Sequence, residues 1–461
     1  MERLFGTQGF RGIFSETLTP TVVERLGRSL ADFLRGKGTV AIAWDPRTSS
    51  ETLSQAVSAG IMAGGCEVHQ LGLAPTPMLS FAIPRLGDSA GVMVTASHNP
   101  PEFNGIKLWQ ADGAPFTSED ERRVEKTYLA REKLQVPTSR CGHLRIVEDL
   151  RPRYVHELAQ QVNADSIRRR RMRVVADCGG GAASAVAPDI LERVGCEVER
   201  LHCVPDGRFQ GRPPEPREQN LSKLMKGVSE KGADMGVAWD GDGDRAVFVT
   251  HKGRYLMGDR TFALAAYHRL QASQDPQKSI VTQVATSDVI RDVAEAAGAD
   301  VILTRVGEPN IVATMKKTNA QIGGEENGGV IYRNWSWTRE GMLTPLIILD
   351  FMVREDQSLE QLDHRFPTYA QVKEGVPCEE RDKARLRDRV AGMVPADAER
   401  EDLDGVKLRY GDGWLLLRPS GTEPLFRVFA EARTTTRAKA LAQMGMRLVQ
   451  DAHAEIIKTK N

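Results

Sequence analysis

Three carboxylates stand at alternate positions in Asp240-Gly241-Asp242-Gly243-Asp244-Arg245. The intervening glycines let such a turn curl until hard oxygen ligands converge on one divalent cation, and Mg²⁺ is the natural occupant. A calcium EF-hand is excluded, because its loop needs Gly at the sixth position and Glu at the twelfth, where this chain has Arg245 and His251. A second stretch, Thr95-Ala96-Ser97-His98-Asn99-Pro100, follows an apolar run and presents a hydroxyl nucleophile beside an imidazole, with a cation at Lys107 soon after. In Arg418-Pro419-Ser420-Gly421-Thr422-Glu423-Pro424 a guanidinium, two hydroxyls and a flexible turn make a donor set suited to a phosphate dianion. Gly323-Gly324-Glu325-Glu326-Asn327-Gly328-Gly329 offers acceptors and an amide on a glycine loop, which suits neighbouring sugar hydroxyls. Any one of these is also compatible with a solvated turn. Together they are the parts of phosphoryl transfer, where catalysis is mainly positioning and charge neutralisation.

No Walker A lysine motif and no kinase signature occurs, so a nucleotide donor is not indicated. Cys178-Gly179-Gly180-Gly181 has some likeness to a dinucleotide fingerprint, but Ser184 stands where its last Gly or Ala belongs, and a tight strand-to-helix turn explains the glycines. Arg168 to Arg171 reads as a solvated helix end rather than a nucleic-acid patch, since Lys plus Arg and Asp plus Glu are 62 each. With no net charge, any anion site must be local. The longest apolar stretches, near Leu343 to Val353, fall short of the roughly 20 residues that span a membrane, and Met1 to Phe5 starts no signal peptide. A soluble cytoplasmic protein with neither nucleic-acid nor membrane partners is expected. Six cysteines lie scattered, with no C-x-x-C pair, so reduced and mostly buried thiols are expected.

The elements that must carry these groups follow an α/β pattern. Pro20 opens a helix with Val23, Leu26, Leu30, Phe33 and Leu34 at helical spacing; Thr39 to Trp44, Glu67 to Leu71 and Gly91 to Thr95 read as strands, and Ser50 to Ala63 as a helix. Met172 to Asp177, Met235 to Trp239, Ile280 to Val284 and Val301 to Thr304 are further strands, each in a strand, turn, helix order. After about Pro367 the pattern changes. Val406 to Tyr410, Trp414 to Arg418 and Phe426 to Ala432 read as strands on short turns, with a helix from Arg437 to His453, which predicts a small antiparallel α+β domain.

The four chemical stretches, in this order and spacing, resemble the α-D-phosphohexomutase family over nearly the whole chain: a phosphoserine loop at Thr95 to Pro100, a metal loop at Asp240 to Arg245, a sugar loop at Gly324 to Gly329 and a phosphate loop at Arg418 to Pro424. Phe5 to Gly12, Asp45 with Arg47 and Ser49, and Pro205 to Pro216 also resemble family stretches. The resemblance implies four domains around a central cleft: three related mixed α/β units over 1–148, 149–250 and 251–366, and an α+β domain of TATA-binding-protein-like fold over 367–461.

It further implies that Ser97 is carried as a phosphoserine, with Mg²⁺ held by its phosphate and by Asp240, Asp242 and Asp244. The implied reaction interconverts hexose 1-phosphates and 6-phosphates through a hexose 1,6-bisphosphate. Arg418, Ser420, Gly421 and Thr422 would grip the idle phosphate and Glu325 with Asn327 the O3 and O4 edge of the sugar. Arg11, Lys107 and Arg245 would stabilise the transferring charge, and either His98 or Lys107 would move the hydroxyl proton. Asn327 stands where many members have Ser, and Gly329 where many have His. The segment Arg305 to Asn310 lacks the basic residue that some members carry soon after its glycine, Gly307. These departures bear on which sugar is used. A glucosamine phosphate or a broad range is expected, with mannose and glucose phosphates or a non-catalytic sugar-phosphate binder as alternatives. Homo-oligomer formation is left open.

Overall fold

The computed structural model describes residues 4–6, 9–130, 136–394, 399–421 and 423–458. Three mixed sheets and one antiparallel sheet follow one another along the chain. The first sheet orders its strands Phe10–Ile13, Phe103–Gln110, Ala90–Val94, Thr39–Trp44, Glu67–Leu73 and Leu144–Ile146. The second runs Tyr255–Leu256, Ala246–Thr250, Met235–Trp239, Arg173–Asp177 and Glu197–Leu201, and the third Ala299–Thr304, Lys278–Gln283, Ile322–Gly324 and Val330–Tyr332.

A common plan underlies all three. Each has parallel core strands, the last of which turns back as a hairpin: Ala90–Val94 pairs antiparallel with Phe103–Gln110, Met235–Trp239 with Ala246–Thr250, and Ile322–Gly324 with Val330–Tyr332. The three hairpin turns hold the serine stretch, the aspartate stretch and the Glu325 stretch. Sequence patterning locates the strand before the first two of these loops but not the returning strand. Phe103–Gln110 and Ala246–Thr250 are almost continuously buried, so neither shows the polar alternation that marks a half-exposed strand.

The fourth sheet is wholly antiparallel, in the order Ala370–Pro377, Leu425–Ala432, Gly413–Pro419, Val406–Tyr410 and Glu399–Glu401, with helices Glu380–Met393 and Thr435–Lys458 packed on it. The helix Glu380–Met393 and the strand Ala370–Pro377 lie outside the sequence expectation because their exposed, highly charged faces mask the apolar period. Burial of Trp414, Leu416, Val284 and Ala285 against one another seats this domain on the third unit, where Lys407 Nζ donates to Val284 O at 2.6 Å.

One apolar core runs through the three α/β units. Phe81, Tyr154 and Trp335 meet there from three parts of the chain, with ring centroids 5.0 Å apart for Phe81 and Tyr154 and 5.4 Å for Phe81 and Trp335. Beneath them lies Glu340, fully buried, accepting from Tyr154 Oη at 2.8 Å, Trp335 Nε1 at 2.7 Å and Met342 N at 3.2 Å. Burial pushes the Glu340 carboxyl up to about 7, against the pull of these donors. A carboxyl raised on folding binds its proton more tightly in the native chain, so its contribution is complete below its unfolded value and is lost as pH rises through about 7. The melting temperature of Glu340→Gln minus that of the parent is therefore expected to increase between pH 5.5 and pH 8.5, whatever its offset. A difference that is flat with pH would refute the protonated, buried acid.

Candidate active site

The serine loop is built by a buried ion pair. Arg47, 2 % exposed, donates to Asp45 Oδ2 at 2.9 Å and to four backbone carbonyls of the loop: Ser97 at 2.8 Å, Asn99 at 2.7 Å, Pro100 at 2.5 Å and Phe103 at 2.9 Å. Thr95 Oγ1 and Ser50 Oγ, both at 2.7 Å, supply Asp45 with its remaining donors. A fully satisfied buried network of this kind holds one backbone path. Along it Ser97 adopts a left-handed φ of 53°, uncommon for a residue with a side chain, and the turn aims its hydroxyl across to the second unit.

There Ser97 Oγ donates to Asp240 Oδ2 at 2.9 Å, and His98 Nδ1 is 3.3 Å from Ser97 Oγ. Burial, then the cations Arg245 and Arg11, hold the His98 imidazole down to about 2, so the ring is neutral. The two loops touch through Gly241: a Cβ there would lie 2.2 Å from Ser97 O, so no other residue fits without displacing the serine.

Asp240, Asp242 and Asp244 are all buried, and each directs one carboxylate oxygen to within 4.8 Å of the others. Their charge is balanced from three sides. Arg245 holds Asp240 through Nε at 2.9 Å and Nη2 at 2.8 Å; Lys107 Nζ, at 2.6 Å, and Thr76 Oγ1, at 2.9 Å, donate to Asp242 Oδ2; and Arg339 donates to Asp244 Oδ2. Burial raises the proton affinity of Asp242, but contact with Lys107 outweighs it and holds the group well below the usual carboxylate range. Burial pushes Asp244 up, opposed by Arg339 and reinforced by repulsion from Asp242 and Asp240. The second oxygens, Asp242 Oδ1 and Asp244 Oδ1, are buried with no hydrogen-bond partner among the described residues. Two orphaned carboxylate oxygens beside a third carboxylate are what a hard divalent cation would complete.

Arg339 is the functional residue that sequence patterning misses. Its Nη2 reaches Asp244, its Nη1 donates to Glu325 Oε2 at 2.6 Å, and its Nε lies 3.4 Å from Glu308 Oε2, so one guanidinium ties the aspartate loop to the Glu325 loop. In Trp335 to Gly341 it stands beside Glu340 with no glycine run around it, and an adjacent Arg-Glu pair reads as an ordinary solvated turn before the chain is folded. Burial pushes the Glu325 carboxyl up, with Arg339 opposing. Asn327 Nδ2 contacts Glu325 Oε2 at 3.3 Å and its Oδ1 accepts from Gly329 N at 3.1 Å.

All four domains line one cavity of about 1090 Å³. Arg11 and His98 enter from the first unit, Arg212 and Arg245 from the second, Asn327 from the third and Gly421 with Arg427 from the fourth. Arg11 Nη1 also donates to Asn99 Oδ1. Arg212 is held in place by Asp177 Oδ2 at 3.0 Å and Trp239 O at 2.6 Å. At the fourth domain, the Arg418 guanidinium is turned to Asp404 Oδ2, 3.1 Å from both Nε and Nη2, while Ser420 Oγ accepts from Glu423 N at 3.2 Å. Thr422 lies outside the described residues. Arg427, paired with Glu423, is the guanidinium on the cavity wall at this end. Patterning gives no hint of it, because it alternates with apolar residues in Leu425–Ala432 and reads as an ordinary strand position.

Models of the four domains of the phosphoglucomutase/phosphomannomutase family match this chain in order: alpha/beta/alpha domain I over residues 2–135, domain II over 152–253, domain III over 257–369 and the C-terminal domain over 375–448. The chain is 36% identical over 457 residues to a protein of Thermococcus kodakarensis named phosphoglucomutase/phosphomannomutase, covering 98% of this chain and 99% of that one. It is 37% identical over 458 residues to a Methanopyrus kandleri protein named probable phosphoglucosamine mutase, covering 99% of this chain and all of that one. The crystal structure of a phosphoglucomutase/phosphomannomutase family protein from Burkholderia thailandensis superposes with a TM-score of 0.87 at 25% identity, over 98% of both chains.

Proposed function

Because this chain belongs to the phosphoglucomutase/phosphomannomutase family along its four domains, we propose that it interconverts hexose 1-phosphates and 6-phosphates by way of a phosphorylated Ser97. The observation that carries the reading is the serine hydroxyl, 2.9 Å from Asp240 and next in the chain to His98, which lines a cavity together with Arg11, Arg212, Arg245 and Arg427. In the forward half-reaction a hydroxyl of the sugar attacks the phosphorus on Ser97 Oγ; the new P–O bond forms on the sugar as the bond to Oγ breaks, and a hexose 1,6-bisphosphate results. The sugar then turns over, and Oγ takes back the other phosphoryl group.

Asp240, Asp242 and Asp244 would hold Mg²⁺, which when bound neutralises charge on the transferring phosphoryl group. The chain's own residues do the rest. Arg245 and Lys107 steady the carboxylates, and Arg11, beside Asn99 on the cavity wall, faces the transferring oxygens. His98, whose Nδ1 is 3.3 Å from Ser97 Oγ, or Lys107, on Asp242, moves the attacking hydroxyl's proton. Glu325 and Asn327 would face the sugar, and Arg418, Ser420, Gly421 and Thr422 would receive the idle phosphate, Arg418 by leaving Asp404, with Arg427 opposite Arg418 on the neighbouring strand and on the cavity wall. For the sugar we favour a glucosamine phosphate or a broad range.

A coupled assay with Mg²⁺ and a trace of the matching 1,6-bisphosphate tests this, comparing glucosamine, mannose and glucose phosphates by kcat/KM. A large preference for glucosamine phosphate would assign the chain to amino-sugar supply, comparable rates would make it a broad phosphohexomutase, and no turnover with Ser97 phosphorylated would overturn the reading. For the metal, Asp242→Asn is expected to raise the Mg²⁺ needed for half-maximal rate by at least about tenfold, since changes one shell further out already cost that much. An unaltered magnesium titration would remove Asp242 from the ligand set.

A further inference from the structure

Outside the cleft machinery, the fold brings together two cysteines that stand far apart in the sequence. Arg173–Asp177 and Glu197–Leu201 pair in parallel with Asp177 opposite Leu201, so Cys178 and Cys203 emerge side by side just beyond the strand ends. Their sulfurs are 3.1 Å apart, and both are free thiols. Cys178 is fully buried, whereas Cys203 is partly exposed next to Val204, itself 78% exposed. Of the other cysteines Cys66, Cys196 and Cys378 are buried, and none has a second sulfur beside it among the described residues.

The surroundings give the two thiols different characters. Cys203 Sγ lies 3.3 Å from Ala176 O and 3.4 Å from Leu201 O, and its contact with the Cys178 thiol holds its proton affinity below the usual thiol value in spite of burial. Burial, with the hydrogen bond to Cys203 adding, keeps Cys178 protonated. A partly exposed thiol 3.1 Å from a fully buried one is the arrangement of an attacking and a resolving cysteine, the reachable sulfur meeting an oxidant first.

The pair also sits where two cleft segments begin. Cys178 leads into Gly179 to Gly181, and the next residue, Ala182, donates its N–H to Gly241 O at 2.9 Å, supporting the backbone of the aspartate loop. Cys203 opens the segment that carries Phe209, Arg212 and Glu215 to the cavity wall. The two segments are joined directly, Asp206 N donating to Gly180 O at 2.8 Å and Gly180 N to His202 O at 2.7 Å.

We infer that Cys178 and Cys203 are a site of reversible oxidation by peroxides, closing to a disulfide that displaces the aspartate loop. Cys203 sulfur, giving up its proton, attacks one oxygen of hydrogen peroxide; the O–O bond breaks, a sulfenic acid forms on Cys203, and the other oxygen leaves as hydroxide, which takes up the proton released by Cys203 to become water. Cys178 sulfur then attacks Cys203 sulfur, the S–O bond breaks, and a second water carries off the Cys178 proton. Both sulfurs are oxidised and the peroxide supplies the two electron vacancies. Bond formation requires the sulfurs to approach by about 1 Å, to about 2.05 Å. A displacement of about 1 Å passed to a catalytic loop costs on the order of tenfold to a hundredfold in rate.

The experiment is to treat the reduced full-length protein with hydrogen peroxide, block remaining thiols with iodoacetamide, and digest without reduction. The expected result is one linked peptide pair joining Cys178 to Cys203, and a turnover loss of about tenfold or more that dithiothreitol reverses. Cys203→Ser is expected to retain its untreated rate and to resist peroxide. Linkage through other cysteines, over-oxidation of Cys203 with Cys178 still alkylated, or equal peroxide sensitivity in Cys203→Ser would overturn the site, and a Cys178–Cys203 link with unchanged turnover would overturn its coupling to the loop. The kinetic arm rests on the mutase reading, but the peptide map does not, so the two fail separately.

Discussion

Ser97→Ala is expected to lower hexose-phosphate interconversion by at least about 10³-fold, the scale on which enzymes lose rate when their nucleophile is removed. The neighbouring hydroxyls Thr95 Oγ1 and Thr76 Oγ1 are committed to Asp45 and Asp242. Ser97 is held by four carbonyl contacts from Arg47 and by the left-handed turn that points Oγ at Asp240. Binding of the sugar phosphate is expected to survive, because the cations on the cavity wall, Arg11, Arg212, Arg245 and Arg427, are untouched by the change. Calorimetric titration of the variant with hexose 6-phosphate, beside the coupled rate assay, separates the two quantities. Turnover within tenfold of the parent would end the phosphoserine mechanism.

The second large effect is expected at Arg339. Its guanidinium is buried and faces Asp244, Glu325 and Glu308, so Arg339→Ala leaves two buried carboxylates and a partly buried third without their shared cation. Removing one partner of a buried ion pair costs about 3–5 kcal/mol, because the remaining charge has lost both water and its partner. Arg339→Lys is expected to recover only part of this, since a single ammonium cannot present a planar fork to two carboxylates. Denaturant unfolding of both variants measures the stability, and kcat with KM for the sugar phosphate measures the site. In Arg339→Lys, whose fold is better preserved, kcat/KM is expected to fall by on the order of a hundredfold if the aspartate and Glu325 loops lose their registration. An alanine variant within about 1 kcal/mol of the parent would show that the bridge is solvated and carries no such strain on removal.

Both predictions concern a charge balance that depends on docking. The site holds Asp240, Asp242, Asp244 and Glu325 against Lys107, Arg245 and Arg339, all nearly excluded from water. In such surroundings an unpaired charge is costly, which is why each of these carboxylates has a cation on it, while Asp242 Oδ1 and Asp244 Oδ1 have no hydrogen-bond partner among the described residues. The open positions and the paired ones are complementary parts of one arrangement.

Much of this was legible from sequence because the chemistry is carried on short contiguous stretches. Asp240 to Arg245 contains its own ligands and its own glycines, and Ser97 and His98 are adjacent, so their proximity needs no folding argument. The strands before them show as apolar runs, and the change to antiparallel patterning after Pro367 shows as short strands on tight turns. The returning hairpin strands were not legible, since buried runs such as Phe103–Gln110 lack periodicity; yet it is that strand, with Lys107 opposite Met93, that sets the Lys107 ammonium against Asp242.

The sequence by itself therefore determined which groups are available for phosphoryl transfer and in what order they come, because local spacing decides what a single turn can converge upon. Only the tertiary structure decided which charges meet. Arg339 reaches Asp244 across 95 residues, Arg418 is turned to Asp404 while Arg427 lines the cleft, and two scattered cysteines come within 3.1 Å. The physical reason is that these pairings are set by hairpin returns and by the burial of one domain's apolar face against the next. Such burial is non-directional and summed over many side chains, so no short stretch of residues encodes it.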